Sequence, residues 1–589
     1  MKSFTFIDRV GNQICHRFVE DGKHRMEVVR NFPLSLYLRS QKGEAKSIYG
    51  DQLYERTFEK IADAKNFVDE YEGVTGMEIY GQTDWTQQFI AHHYPQDPGK
   101  LEFDIKDFRV VSIDLEVAHD DGFPEPEEAA EEIISINYKV FGGRSYAFGC
   151  HEKPKIKELD KVEYIQCIDE HDLLTKFVRF FRTDAPHIFT GWNAYGFDVP
   201  YLVNRVNNVL GDKMADQLSP FFGMSGIKGY ISKTYNKEGV DSFKILGVTV
   251  LDFMELYKKF HPEKRESYRL DYIGEMDIQS TKVDYSEYGN SLMRLFRGEW
   301  HVGADKDPST LSNKDRWCRV RGILRAELKR RGVEAVDAEE HLVDAPHDIE
   351  NLEGQLDTLS DWNDDDLWET FTEVDGHVKS LSFGQFLHYN AVDNDLVEML
   401  DNKHQYVQLG VAIAMLTKSR IGDCMGTVRI WDNLIYHMAL QDDAVIPPTV
   451  RQFDSEKAGG FVRDTVPGRY RWPVTFDLTS LYPSIARLLN MSPETQLSEP
   501  MGGQEMVDRF LSGELRPEDY TSPGVCMAFN GVTFDTTRPG IVARAMSFVF
   551  YERKRYQHLM QDEKKALEKL KEELQQLEKE LAQLDHAGS

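Results

Sequence analysis

Hydrophobic positions along the chain change period several times, and the changes divide it. Short strand-like runs, SFTFIDRV (3–10) and LSLYL (34–38), precede one helical stretch, YERTFEKIADAKNFVDEYEG (54–73). From about Asp107 to Asn402 strand and helix patterns alternate, which predicts an α/β domain. Residues 290–380 interrupt it with a polar segment, basic from Arg316 to Arg331 and then dense in acid from Glu334 to Asp375. That segment reads as an insertion, part helical and part mobile. Residues 404–450 read as helices ending at Pro447 and Pro448. A glycine-rich join (458–461) then leads to a strand, RWPVTFDL (471–478), and a helix, SLYPSIARLLN (480–490). A long helix covers 539–589. From Lys565 its leucines, Leu567, Leu570, Leu574, Leu577, Leu581 and Leu584, step by threes and fours, an a/d seam among Glu and Lys. The expected fold class is multidomain α/β: a domain over 1–106 completed by 404–450, a second over 107–403 carrying the insertion, a third segment over 451–538, and the helix over 539–589.

Composition narrows this picture less than pattern does. The 589 residues correspond to roughly four domains. No run of about 18 apolar residues indicates a membrane span, and the N-terminus does not read as a secretory signal. Six scattered cysteines without a CxxC pair argue against a zinc or disulfide framework and fit a reducing compartment. The net charge of -29 argues at first sight against nucleic acid, whose phosphates are met by Lys and Arg. The acid is uneven, however, and local basic grooves are compatible with it.

Three segments carry candidate chemistry. In FRVVSIDLEVAHD (108–120), a strand places Asp114 and Glu116 on one face, about 7 Å apart, able to share a divalent cation. A half-buried strand with a solvated polar face is the plain alternative. In FTGWNAYGFDVPYLVNR (189–205), a strand end runs into a Gly- and aromatic-rich turn, and a helix starts near Pro200. Asp198 lies at that helix N-terminus, where it could be only a cap. In FGQFLHYNAVDNDLVEML (383–400), Tyr389 and Asp393 are four apart and share a helix face, as exposed acids of any amphipathic helix could.

Together these segments resemble the three exonuclease motifs of family B DNA polymerases of the T-even-phage type: DxE at Asp114 to Glu116, NxxxFD at Asn193 to Asp198, and YxxxD at Tyr389 to Asp393. LDFMELYKKF (251–260) and VRIWDNLIYH (428–437) extend the resemblance over nearly the whole chain except the insertion. It implies a ribonuclease-H-like 3′→5′ proofreading exonuclease domain over 107–403, with Mg²⁺ as cofactor and Mn²⁺ able to substitute. By resemblance, Asp114 bridges two metals, Glu116 and Asp393 support the nucleophile-side ion, Asp198 supports the leaving-group side, and Tyr389 orients the attacking water.

VTFDLTSLYPSI (474–485) matches polymerase motif A, DxxSLYPSI, with a strand-end helix cap as the plain alternative for Asp477. The resemblance implies that Asp477 and the carbonyl of Leu478 bind the nucleotide's metals, that Ser480 and Leu481 cradle the triphosphate through their N–H groups, and that Tyr482 lies under the sugar. FVFYERKRYQHLM (548–560) resembles the first fingers helix, with Arg553 and Lys554 toward the incoming nucleotide and Gln557 where the family has a further lysine. Residues 451–538 are then the N-terminal part of the palm. No KxxxNSxYG motif and no DTDS-type aspartate pair occurs. The expected function is therefore the N-terminal subunit of a split replicative DNA polymerase, completed by a C-terminal half that pairs with the leucine seam. A truncation whose exposed seam self-associates is the alternative for that end of the chain. Expected partners are primer-template and single-stranded DNA, dNTP, and a sliding clamp held through the second chain, with no membrane, in the cytoplasm of a phage-infected host. A stand-alone exonuclease and a non-catalytic nucleic-acid-binding module are the other readings.

Overall fold

The computed structural model describes residues 2–587 apart from 72–73, 75, 95–102, 120–121, 155, 236–240, 289, 300–312, 334–348, 448–465, 479, 501 and 503. The chain forms two compact units: residues 1–30, 102–415 and 420–425 make the first, and 31–101, 416–419 and 426–589 the second. Residues 1–30 thus fall in the unit that holds the α/β sheet, and residues 31–101 in the other.

Those residues form an antiparallel meander, β1 (Lys2–Val10), β2 (Gln13–Glu20) and β3 (Lys23–Val29). Phe6 and Cys15 pack with Phe221, Ile227 and Leu246. The buried Arg17 fixes the meander by donating to the carbonyls of Pro186 at 2.7 Å and Ala185 at 2.6 Å.

The centre of the first unit is a six-stranded sheet of β4 (Val110–Val117), β5 (Ile133–Val140), β6 (Ser145–Gly149), β7 (Val162–Gln166), β8 (Ile188–Thr190) and β11 (Thr249–Val250), in the order β7-β6-β5-β4-β8-β11. A separate hairpin, β9 (Ile231–Tyr235) and β10 (Asp241–Ile245), precedes β11. Strands β4, β5 and β6 are antiparallel neighbours, while β8 and β11 run parallel to β4. Period-two alternation gives β4 two unlike faces. Val111, Ile113 and Leu115 join the core made with Phe177 and Phe181 of α1 (Glu170–Asp184) and Leu202 and Val206 of α2 (Asp198–Leu210). The other face carries Ser112, Asp114 and Glu116. After β11 come α3 (Phe253–Phe260), α4 (Leu270–Ile278), α5 (Leu292–Arg297), α6 (Asn313–Arg330) and α7 (Asp364–His404). The last is 41 residues long and covers the polar face of β4 and β5.

The expected insertion at 290–380 has a core of its own. Val320, Leu324 and Leu328 of α6 pack with Leu352, Leu359 and the N-terminal half of α7 at Phe371 and Val374. Arg321 bonds Asp375 at 2.6 Å within that core's border. The segment does not end before the third motif: α7 runs from it without a break.

In the second unit, a five-stranded sheet pairs Leu34–Arg39 with Gln52–Phe58 and adds Ala444–Val445 at one edge. The helix expected over 54–73 is shorter, Ile61–Tyr71, since residues 52–58 bond as a strand to Leu34–Arg39. Helix α8 (Thr427–Gln441) stops before Pro447, and its Leu434 and Met438 pack with Ile541 and Ala545 of α10 (Ile541–Ala587). Helix α9 (Leu481–Leu488) lies against α10 through Arg487, which donates to Ser547 Oγ at 3.0 Å and stacks 4.3 Å over the Phe550 ring. The strand expected at 471–478 does not form. Trp472, Val474 and Phe476 are 91%, 74% and 91% exposed, with no neighbouring strand among the described residues to bond them. The glycine-rich join at 458–461 and Pro448 lie outside the described residues. No described cysteine is in a disulfide, and no helix among the described residues is long and apolar enough to cross a membrane.

Leu328 is fully buried in the insertion core, so Leu328→Ala should cost about 2–4 kcal/mol there. Limited proteolysis should then cut faster within 290–380, and an unchanged cleavage rate would show that this core does not hold the segment.

Candidate functional site

The polar face of β4 and the inner face of α7 meet over the sheet, and the junction is built from amides and hydroxyls. Asn394 donates from Nδ2 to Asn137 Oδ1 at 2.9 Å and pairs through Oδ1 with the Ser112 hydroxyl. One turn earlier, Asn390 accepts from Ser135 Oγ at 3.1 Å. Its Nδ2 donates to Asp114 Oδ2 at 2.6 Å and lies 3.5 Å from Glu116 Oε1. Asn390 thereby aims both strand carboxylates. The third carboxylate arrives from the turn after β8. Gly191 is required there, because a Cβ would stand 3.0 Å from Ile113 O. Asn193 takes up a left-handed φ of 62°, which Asn tolerates better than most residues. Asp198 is the first residue of α2, not its cap, and accepts from the Leu115 N–H at 3.1 Å. The fourth, Asp393, follows Asn390 on α7.

Glu116, Asp198, Asp393 and Tyr389 are buried, and Asp114 is half-buried. Packing four carboxylates together raises their proton affinities. Burial pushes Asp114 well up, and the charges of Glu116, Asp393 and Asp198 add to it. Glu116 rises to about 8 through burial and then Asp393. Asp198 rises to about 7 through burial, partly opposed by the Leu115 N–H. Asp393 is raised by burial and held back by Lys282, which forms an ion pair with it and donates to the Tyr389 hydroxyl at 3.1 Å. Burial alone would lower Lys282, but Asp393, Asp114 and Glu116 outweigh it and hold the ammonium charged.

The site therefore holds more carboxyl groups than one lysine can balance when they ionise, and Asp393 Oδ1 is buried without a hydrogen-bond partner. Hard carboxylate oxygens of this kind suit Mg²⁺ or Mn²⁺. Asp114, Tyr389 and Asp393 open onto a cleft of about 1110 Å³ walled by Trp192, Asn193 and Tyr268, large enough for a nucleotide. A second cluster, His261, Asp277 and His404, has metal-ligand spacing. There Asp277 is taken up by Arg265 at 2.6 Å, Tyr257 at 2.7 Å and His404 at 2.8 Å, so a guanidinium already supplies the positive charge.

All four exonuclease-motif carboxylates and Tyr389 are thus brought together. Sequence reasoning missed Asn390 and Lys282. The first had a signal, since it shares a helix face with Asn394 four residues on. The second, in the segment after α4, had none. The polymerase-motif residues are contiguous but uncovered. Asp477 and Leu478 are exposed, Ser480 has a left-handed φ of 51° before α9, and Leu481 and Tyr482 face solvent. Arg553 and Lys554 are exposed on α10, with Lys554 4.7 Å over the Phe550 ring.

Strand-borne paired carboxylates, a helix-borne Tyr and Asp, and a nucleotide-sized cleft define the exonuclease module of a nucleic-acid enzyme. The profile of the DNA polymerase family B exonuclease domain matches residues 75–273, and that of DNA polymerase family B matches residues 426–581. The chain belongs to the family B DNA polymerases and contains their exonuclease domain and part of their polymerase domain. It is 26% identical to the DNA-directed DNA polymerase of Escherichia phage RB69, over 95% of this chain and 54% of that protein. The DNA-directed DNA polymerase of Enterobacteria phage T4 is also 26% identical, over 97% of this chain and 55% of that protein. The DNA polymerase catalytic subunit of Equine herpesvirus 2 is 25% identical over 36% of this chain and 21% of that protein. The chain spans about half the length of the two phage relatives.

Because these carboxyls hold protons more tightly folded than unfolded, their ionisation costs stability. Stability is full below about pH 4, where unfolded carboxyls also protonate, and falls as pH rises to about 8, where Glu116 ionises. In chelator, Asp114→Asn should therefore raise the melting temperature by about 2–4 °C at pH 8 and by less at pH 5. Melting curves at both pH values check this, and a lowered midpoint at pH 8 would contradict the repulsion.

Proposed function

We propose that the first unit is a 3′→5′ DNA exonuclease of ribonuclease-H-like fold that removes 3′-terminal nucleotides with the help of two divalent cations, Mg²⁺ in the first place. The observation that carries this is the clustering of Asp114, Glu116, Asp198 and Asp393, two of which, Asp114 and Asp393, line a nucleotide-sized cleft, with only Lys282 among the described residues as counter-charge. Asp114 would hold both cations, with Glu116 and Asp393 on one side and Asp198 on the other. Bound there, the cations would make water nucleophilic at neutral pH and offset charge on the departing 3′ oxygen. The chain's own groups do the positioning. Tyr389 holds the water through its hydroxyl, Lys282 fixes the Tyr389 and Asp393 orientations, and Asn390 keeps Asp114 and Glu116 turned toward the cleft. Trp192 and Tyr268 offer faces to the terminal base.

We further propose that the second unit is the N-terminal part of a polymerase palm and the first fingers helix, and that it polymerises only when further polypeptide covers it. In this reading Asp477 and the Leu478 carbonyl hold the cations of the incoming nucleotide, Ser480, Leu481 and Tyr482 hold its triphosphate and sugar, and Arg553 and Lys554 its phosphates. Two features favour this over a stand-alone exonuclease or a binding module: the uncovered apolar row at Trp472, Val474 and Phe476, and the leucine row on α10. Leu567, Leu570, Leu574 and Leu577 are all more than half exposed, and the side chains of Leu581 and Leu584 lie outside the described residues. Such a row suits a second chain's helix, which makes the protein one subunit of a split replicative polymerase acting in a phage-infected cell. A sliding clamp would then be met through that second chain.

On 5′-labelled primer-template DNA with Mg²⁺, the chain should shorten the primer without extending it. Asp114→Ala combined with Glu116→Ala should abolish shortening with the melting curve retained, and unchanged digestion would refute the assignment. Asn390→Ala should lower the rate about 10–100-fold, partly recovered by raised Mg²⁺, as expected of a group that orients metal ligands. Mixing with a polypeptide that bears the missing motifs should yield a heteromer by light scattering and restore extension. Replacing Leu570 and Leu574 by Glu should abolish both, and extension that survives would remove the leucine row from assembly.

A further inference from the structure

Between the edge of the sheet and the insertion lies a second cavity of about 450 Å³, within the range of small-ligand sites. Its walls come from the residues after β6, the end of β7, and helices α5, α6 and α7. Three rings form its apolar side. Phe383 is buried, with its centroid 4.6 Å from His151, and Phe296 lies 5.1 Å from His151 and 6.0 Å from Phe383. The cavity is also lined by Arg297, Arg321, Arg325 and Lys379 and by two acids, Glu152 and Glu299. In a chain with a net charge of -29, this local excess of cations is out of keeping with the whole.

The basic groups are not equivalent. Arg321 and Lys379 share the buried Asp375, at 2.6 Å and 3.3 Å, and Arg321 also donates to the Gly298 carbonyl at 2.6 Å. They are fixed in place by that network. Arg325 is exposed one turn further along α6, with no partner recorded among the described residues. The exposed Arg325 guanidinium thus shares the cavity with a guanidinium and an ammonium that are held, and with the aromatic rings.

We infer that this cavity is a second nucleotide site, separate from the four-carboxylate cleft, in which a base lies against Phe296 and His151 and a phosphate is taken by Arg325 and Lys379. Aromatic faces accept any base, and guanidinium groups pair with phosphate through two parallel bonds. The occupant is either a free nucleoside monophosphate or one nucleotide of a single strand whose 3′ end is elsewhere. Helix geometry allows the second case. Phe383 precedes Tyr389 by an axial rise of about 9 Å, so the cavity and the cleft are both lined by α7. Most of its lining comes from the segment 290–380, with His151 and Phe383 supplied from outside it.

The test is photocrosslinking in EDTA, where no cleavage occurs and the exonuclease assignment is not at issue. The probes are 5-iododeoxyuridine monophosphate and a single strand of about eight thymidines carrying one 5-iododeoxyuridine. Peptide mapping should place crosslinks at His151, Phe296 or Phe383, with binding weakened roughly tenfold by Arg325→Glu, as for the loss of one charge-assisted contact, and similarly by Phe296→Leu. Crosslinks at Trp192 or Tyr389 should persist in both variants. Capture of the monophosphate would identify a free-nucleotide site, and capture of the oligonucleotide alone a strand-binding one. If neither probe maps to these rings and both variants bind as the parent does, the inference is wrong. Loss of nuclease activity with these crosslinks intact would count against the exonuclease reading only.

Discussion

Four carboxylates in one pocket repel, and the first unit is organised around containing that repulsion. Burial withdraws the water that would screen them, so each raises the proton affinity of the next. The protein answers with a scaffold that is rigid where the charges sit. The core of β4, α1 and α2 fixes the strand from behind, and the amide pair Asn390 and Asn394 ties α7 to β4 and β5 in front. Lys282 offsets part of the charge. A divalent cation bound there would offset charge that one ammonium leaves unbalanced. Stability and cation affinity are thus opposite sides of one electrostatic term.

Much of this was legible from pattern. A period of two put Asp114 and Glu116 on one face, and the same alternation gave that strand its apolar back. The four-residue spacing of Tyr389 and Asp393 placed both on one side of a helix, and the aromatic, glycine-rich turn before Pro200 delivered Asp198. These signals are local, and local periodicity survives in any environment that buries one face. What the sequence did not disclose was non-local. Nothing near Lys282 marks it as the counter-charge, because its partners are more than a hundred residues away. Residues 52–58 look helical alone and become a strand because Leu34–Arg39 offers hydrogen bonds. Residues 471–478 look like a strand alone and are not one, because no described neighbour offers them. The place of residues 1–30 in the first unit rests on Arg17, whose acceptors lie some 170 residues further on.

The two units also differ in how complete they are. The first packs an extensive core behind its central sheet and ties Asn390 and Asn394 into hydrogen bonds. The second holds a sheet, a helical junction around Arg487 and a long helix, yet leaves Trp472, Phe476 and Tyr482 uncovered. Large apolar side chains left in water on such a scale usually mark a surface that another polypeptide covers.

Helix α7 is continuous from the insertion core at Phe371 to the carboxylate at Asp393, with no proline and no break. Continuity locks the two ends in phase. Adding or deleting one residue anywhere between them would turn one face by about 100° relative to the other. It would carry Asn390 and Asp393 off the sheet or unseat Phe371 and Val374. Length variation in this stretch is therefore tolerated only in near-whole turns. The geometric relation of the insertion core to the four-carboxylate cluster is quantised by the helical repeat.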